Sequence, residues 1–397
     1  MEEWKQYRLG DIISISSGLA YKGEHLGKGD SFLLGMGCVS YTEQFLEKGM
    51  RKYDGAYDER YSLKAGDIVL ATRQQSDNLP ILGMPAIIPQ KFHNQKMVFG
   101  TNLYKVNLNS PDFSNSFLYW LLKTPNYIHH IKSCQTGTTV RMITKANIED
   151  YTFFCPEKSE REKICKFLWN IENKIALNRR INDNLEQQAQ LLFDNLIDAS
   201  DWSMTQSLSE LSEINPPRKL SKGENAPFIE MSNMPTSGSF PARIDFKEYN
   251  GGMKFRNGDT IMARITPCLE NGKAAYVNFL QGNEIGFGST EYIVLAPKKT
   301  ISSSFLYFLV RNKEFVDYAV KHMNGSSGRQ RVSGDTIGNY QLPILDRKKL
   351  SIFIAIADRT LTIIKQNSFE ILNLVKQRDT LLPKLMSGEL KINDLNC

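Results

Sequence analysis

Two stretches of the chain place apolar residues at alternating steps of four and three. In the first the positions are Ile164, Leu168, Ile171, Ile175, Asn178, Asn182, Leu185, Ala189, Leu192 and Leu196, eight of ten apolar. Shifted by 186 they become Leu350, Ile354, Ala357, Leu361, Ile364, Ser368, Ile371, Val375, Arg378 and Leu382, again eight of ten apolar. A period of 3.5 sustained over four heptads predicts two long coiled-coil helices. At 1.5 Å per residue, about 36 residues make a rod of roughly 54 Å. Ser159-x-x-Glu162 after Pro156 predicts a capping-box start for the first helix. Asp346 caps the second, and Pro383 and Gly388 end it. Such a helix cannot bury its seam alone, and the economical partner is the other copy. If the halves are related by a pseudo-twofold, the pair runs antiparallel, with a globular domain at each end of the rod. Ser368 and Arg378 stand in the second seam where the first has Asn182 and Leu192, so the pairing is uneven there.

The globular stretches also repeat. Phe99-Gly-Thr-Asn-Leu-Tyr-Lys-Val106 matches Phe287-Gly-Ser-Thr-Glu-Tyr-Ile-Val294 at a shift of 188, and Ser-Phe-Leu-Tyr at 116–119 recurs at 304–307. Gly66-Asp67 and Gly258-Asp259 each lead into an apolar run, which reads as a tight turn before a buried strand. The serine-led aromatic runs at 116–122 and 304–310 read as helix starts. The predicted fold is mixed α/β (α+β): two similar globular domains joined by two long antiparallel helices, a duplication with a period near 190. The boundaries drawn from these blocks are 1–156 for the first globular domain, 157–199 for the first helix, 200–344 for the second globular domain, 345–390 for the second helix and 391–397 for a tail.

Composition narrows the function classes. The 397 residues carry 49 Lys and Arg against 43 Asp and Glu, a net charge of +6. The excess is uneven: positions 61–146 hold nine basic against three acidic residues, and 250–334 hold eleven against six. Two basic stretches suit a polyanion such as nucleic acid. No apolar run approaches the ~18 residues that span a bilayer, and the polar start reads as lacking a signal peptide. The six cysteines are scattered without a Cys-x-x-Cys pair, and the five histidines form no HExxH. The expectation is a reduced, cytoplasmic protein with no metal and no membrane contact.

Candidate chemistry divides into weak and stronger signals. Asn215-Pro216-Pro217-Arg218 nearly matches the loop with which amino-methyltransferases hold a flipped base, but Arg218 stands where an aromatic residue would stack. No phosphate-binding GxxxxGK[ST] occurs. Cys134 with His129 or His130 reads as a surface grouping, and Asp112 has no partner carboxylate at strand spacing, so no catalytic set is expected. The DNA-reading candidates are stronger. Arg73, Gln74, Gln75 and Asn78 follow a buried strand, and these types bond bidentately to guanine or adenine edges. Thr138, Thr139 and Arg141 follow Gly137. Ser326, Ser327, Arg329, Gln330 and Arg331 follow Gly325. Small hydroxyls and guanidinium groups in Gly-rich loops suit phosphates and base edges alike. Arg264, Thr266 and Lys273 are the rough second-half counterparts of the first loop.

The helical phrases KIALNRRINDNLEQQAQLLFDN (174–195) and QRDTLLPKLMSGEL (377–390), the opening RLGDI (8–12) and the loops at 137–139 and 325–327 resemble type I restriction–modification DNA specificity subunits. The resemblance implies a non-catalytic subunit whose two target recognition domains read a bipartite, asymmetric double-stranded DNA site. It implies docking of two methyltransferase subunits, which carry S-adenosylmethionine and methylate adenine, and of restriction/translocase subunits, which use ATP and Mg. No cofactor is expected on this chain. The alternatives are a stand-alone DNA adenine methyltransferase built on Asn215-Pro216-Pro217, and a coiled-coil adaptor whose domains bind protein.

Overall fold

A computed structural model describes residues 4–76, 80–326 and 328–394. In chain order the first repeat runs β1 (Lys5–Arg8), α1 (Leu9–Ile12), β2 (Ile13–Ser17), β3 (Leu26–Leu34), β4 (Met50–Tyr53), β5 (Ser62–Leu63), β6 (Ile68–Ala71), β7 (Arg73–Gln74), β8 (Pro85–Ile87), β9 (Lys96–Phe99), β10 (Leu103–Leu108), α2 (Asn115–Leu121), α3 (Pro125–Cys134), β11 (Arg141–Met142), α4 (Lys145–Glu149) and β12 (Thr152–Cys155). The long helix α5 (Lys158–Asp198) follows. The second repeat runs β13 (Thr205–Ser207), α6 (Leu208–Leu211), β14 (Ser212–Ile214), β15 (Asn225–Ile229), β16 (Asp245–Glu248), β17 (Met253–Phe255), β18 (Thr260–Ala263), β19 (Ala274–Tyr276), β20 (Gly286–Gly288), β21 (Tyr292–Pro297), α7 (Ser303–Arg311), α8 (Lys313–Lys321), α9 (Gly334–Gly338) and β22 (Gln341–Pro343). The second long helix is α10 (Arg347–Ser387). Contacts divide the chain into two units, Met1–Glu172 with Val375–Cys397 and Asn173–Leu374.

The two repeats share one topology. The first forms sheets in the orders β2-β10-β6-β8, β4-β3-β9-β5 and β1-β12, and the second β14-β21-β18-β19, β16-β15-β20-β17 and β13-β22. Each copy contains one parallel pair at the same place, β3 with β9 and β15 with β20. The Gly-Asp turns form as their sequence implies. Gly66 and Gly258 sit at φ 87° and 91°, a region open to glycine at little cost. Asp67 and Asp259 each accept the backbone N–H of the residue three before them, at 2.9 and 2.8 Å.

The apolar run Ile68–Ala71 is wholly buried because its sheet is covered on both faces. Alternate strand residues point to opposite sides. Ile68, Leu70 and Val106 pack with α2 and α3, whereas Val69, Ala71 and Leu103 pack with β3 and β9. In the second copy Met262, Ile293 and Leu295 meet α7, while Ile261, Tyr292 and Val294 face the other sheet. This fixes the true alignment of the repeats. Leu103 pairs with Ala71 and Tyr292 with Ala263, so the shift at this strand is one residue more than the 188 read from the paired Phe-Gly motifs. A slip of one residue would have turned every side chain to the wrong face.

Both long helices form, and within each unit they run antiparallel to one another. In the second unit Asn182 Nδ2 donates to Ser368 Oγ at 3.3 Å, Asn178 Nδ2 to Glu370 Oε2 at 2.7 Å, and Asn367 Nδ2 to Asn182 Oδ1 at 2.8 Å. In the first unit Arg378 Nη1 meets Glu172 Oε2 at 2.7 Å, both side chains 5 % exposed. The polar seam positions therefore satisfy one another across the pair. Ile164, Leu168, Ile171, Ile175, Ala357, Leu361, Ile364 and Leu382 are buried as the heptads imply, and Leu185, Leu350, Ile354, Ile371 and Val375 are half-buried.

Leu192 departs from the heptad reading: it is 42 % exposed, and Phe193 takes the buried place. A straight helix has 3.6 residues per turn and drifts about 20° per heptad from a 3.5 repeat. By this point the buried face has turned into the second core, where Phe193 lies 5.1 Å from Phe305 and 5.5 Å from Phe353. The helix ends also differ from expectation. Ser159 lies inside α5 and donates to Glu157 Oε1 at 2.8 Å, and the helix starts at Lys158. Asp346 does cap α10, accepting from Lys348 and Lys349 N–H at 2.9 Å each. Pro383 removes a donor without ending α10, because Leu385 and Met386 bury one more turn in the first core. Among the described residues, no helix is long and apolar enough to cross a membrane.

Removing one member of a buried ion pair strands the other charge, at a cost of about 3–5 kcal/mol. We expect Arg378→Met to lower stability by that order in denaturant unfolding, and Glu172→Leu with Arg378→Met to recover most of it. A single variant as stable as the parent would contradict the pairing.

Candidate nucleic-acid interface

Strand β6 leaves its sheet at Thr72, and the next residues pair with the loop beyond α3. Arg141 lies opposite Gln74 and Met142 opposite Arg73 in the short antiparallel pair of β7 and β11. Ile143 N–H donates to Thr72 O at 3.3 Å and closes the ladder. Thr136 and Met142 exchange backbone bonds at 3.0 and 2.8 Å around the intervening turn. Gly137 holds φ 88° in that turn, where a Cβ would stand 2.2 Å from Val140 O, so a side chain there would break it.

The second repeat builds the same ladder. Val332 N–H donates to Arg264 O at 3.0 Å, Thr266 N–H to Gln330 O at 3.1 Å, and Asn324 and Arg331 exchange bonds at 2.9 Å. Gln330 N–H also donates to Thr266 Oγ1 at 3.1 Å. In each copy the structure thus brings together two loops that lie about seventy residues apart in sequence, and these are the loops carrying the candidate polar residues.

The individual side chains divide. Arg73, Gln75, Thr138, Thr139, Ser326 and Arg329 are exposed. Arg141, Arg264, Thr266, Lys273, Gln330 and Arg331 are half-buried. Gln74 is turned inward: it is 7 % exposed, and its Oε1 accepts Leu82 N–H at 3.3 Å, which makes it a brace of the loop. Lys273 is likewise tied back, its Nζ donating to Met231 O at 2.6 Å. Asn78 and Ser327 lie outside the described residues. Sequence reading missed Glu291, which takes the guanidinium of Arg331 in a bidentate pair, Nε at 2.9 Å and Nη2 at 2.7 Å. Hydrogen bonding from Arg331 holds the Glu291 carboxyl below the usual range. The available signal was an acid inside a basic stretch, at the strand end where the first repeat has none.

The sequence near-match to a methyltransferase loop has a structural explanation. Asn215 sits at φ 52°. Its N–H donates to Val294 O at 2.7 Å and its Oδ1 accepts Val294 N–H at 2.9 Å, so it extends the β14–β21 ladder. Arg218 turns inside to meet Asp259 at 2.7 Å, the two side chains 9 % and 2 % exposed. His130 Nε2 lies 2.7 Å from the carbonyl of Asn147, so it carries a proton there and cannot take one from Cys134 at 3.9 Å. Among the described residues, no three His, Cys, Asp or Glu side chains are grouped to hold a metal ion.

Residues 1–187 and 199–373 each match the family described as type I restriction modification DNA specificity domain. The chain is 33% identical to the EcoAI specificity subunit of Escherichia coli over 36% of its own length and 25% of that protein. It spans about a quarter of that relative and of the EcoEI specificity subunit, also from Escherichia coli. It is 23% identical to the MjaIX specificity subunit of Methanocaldococcus jannaschii over 99% of this chain and 95% of that one. The crystal structure of a type I restriction–modification S subunit from M. genitalium superposes with a TM-score of 0.60 at 14% identity, covering 97% of this chain and 96% of that one. That likeness extends the shared fold over nearly the full length.

If Asn215 serves the ladder, Asn215→Ala loses a half-buried bond and leaves a β-carbon residue at positive φ. Thermal unfolding should show a loss of about 1–3 kcal/mol, and Asn215→Asp, which keeps Oδ1, should lose less. An unchanged melting temperature for Asn215→Ala would remove the structural explanation of the motif.

Proposed function

The chain belongs to the type I restriction modification DNA specificity family, and from that premise we propose that it selects the DNA sequence on which partner subunits act. Each repeat reads one half of a bipartite, asymmetric site in double-stranded DNA. The paired long helices serve as the surface on which two methyltransferase subunits dock, and restriction/translocase subunits join that assembly. S-adenosylmethionine, ATP and Mg belong to those partners in this reading, and the assembly works on cytoplasmic DNA. The chain itself supplies recognition rather than a reaction.

One observation carries the proposal. The same backbone ladder recurs at the same place in both repeats, Ile143 to Thr72 and Val332 to Arg264, yet it presents different side chains. A fixed frame with exchangeable edges is what two readers of unlike sequences require, since phosphate contacts position a protein and base contacts specify. The two basic stretches of the sequence contain these ladders, which suits the salt-sensitive attraction to a phosphate backbone. Asn215 and Arg218 are already engaged within the fold, so no observation favours the stand-alone methyltransferase.

The test is the methylation pattern of the host with and without the gene. A two-part adenine-methylated motif should vanish on deletion. Arg73→Ala, introduced into the intact system, should weaken recognition of one half of the motif by about 1–3 kcal/mol and leave the other half unchanged. A methylome indifferent to the deletion, with all partner genes intact and expressed, would overturn the reading.

A further inference from the structure

The ladder bonds give an exact equivalence between the two reading edges. Thr72 N–H donates to Asn102 O at 3.1 Å, and Arg264 N–H donates to Glu291 O at 3.0 Å. Together with the bonds from Ile143 and Val332, they align Thr72, Asn102 and Met142 with Arg264, Glu291 and Arg331. Three uncharged residues in the first repeat thus correspond to three charged ones in the second. At this edge the first repeat presents the thioether of Met142, 39 % exposed.

A guanidinium has two edges that can each make a pair of parallel hydrogen bonds. Glu291 occupies the side edge of Arg331, formed by Nε and Nη2. Arg331 Nη1 also donates to Arg329 O at 3.2 Å. The other edge of the guanidinium is its end, between Nη1 and Nη2, where each nitrogen carries a hydrogen not directed to Glu291, and 40% of the side chain stays exposed. That edge matches O6 and N7 of guanine in the major groove. Adenine would present its N6 amino donor to the same fork. A long side chain already held at three bonds has less freedom left to lose on binding. The carboxylate also offsets the charge, so Arg331 is weaker as a general phosphate contact and more dependent on geometry.

We infer that Glu291 is a positioning residue that holds Arg331 to read a guanine in the half-site of the second repeat, at positions where the first repeat has Asn102 and Met142. The inference rests on the specificity reading above and deepens it. It assigns the charged edge to a G·C pair and leaves the first repeat's edge, where Met142 is exposed, to a different kind of contact.

The experiment uses the full chain assembled with its methyltransferase subunits. Parent, Glu291→Gln, Arg331→Ala and Arg331→Lys assemblies methylate a library of random-sequence duplexes, which are then sequenced. The parent motif should contain a required G·C pair in one half. All three variants should relax that one position, with discrimination falling roughly 5- to 150-fold, while the other half of the motif keeps its preference. Arg331→Lys keeps the charge but not the fork, so it separates geometry from simple attraction. An unchanged motif in Glu291→Gln would overturn the inference. So would a uniform loss across all sequences accompanied by a lower melting temperature, which would mark the pair as a structural tie. A parent assembly with no two-part motif would instead overturn the specificity reading itself.

Discussion

Neither long helix can bury its own apolar stripe, and the rest of the fold is arranged around that constraint. Within each unit the two helices cover one another in an antiparallel register set by polar groups. Glu172 meets Arg378 in one unit, and Asn178 and Asn182 meet Glu370 and Ser368 in the other. A buried polar group without a partner costs far more than an apolar mismatch, so these pairs penalise any other register. The same helices complete the globular cores. Ile164 and Leu168 join Leu382 and Leu385 in the first, and Phe193 and Leu196 join Phe353 and Ala357 in the second. Each core is therefore closed by the start of one long helix and the end of the other.

The repeats divide labour between frame and edge. The frame is a sheet covered on both faces, and its strands β6 and β18 have little room to vary because all four side chains of each are buried. The candidate loops lie beyond the strand ends, where backbone bonds hold the path and Arg73, Met142 and Arg329 are exposed while Thr72 stays buried. Thr72, Asn102 and Met142 can stand in one copy and Arg264, Glu291 and Arg331 in the other without disturbing the ladder. Loops carried on a rigid scaffold are where recognition can diverge.

Much of this was legible in the sequence because it depends on period and repetition. The heptads located both long helices, a pseudo-twofold relation of the halves implied their antiparallel pairing, and the duplicated Gly-Asp turns and serine-led helices marked the two copies. What was not legible depends on neighbours in space. The one-residue offset at Leu103 and Tyr292 is fixed by which core each face meets. The exchange of Leu192 for Phe193 reflects a seam turning from a partner helix into a core. Gln74 reads as a base-contacting residue until its bond to Leu82 shows it facing inward. Glu291 was invisible because its partner, Arg331, is 40 residues away and reaches it only once the loops pair.

The central claim is that one chain carries two unlike readers on one repeated frame. Its most direct measurement is equilibrium selection of random duplex DNA by the assembled complex, at more than one salt concentration. The account predicts two short conserved blocks of different sequence separated by unspecified base pairs, retained as salt rises while overall affinity falls. A single uninterrupted block, two identical inverted blocks, or no sequence enrichment at any salt would contradict it.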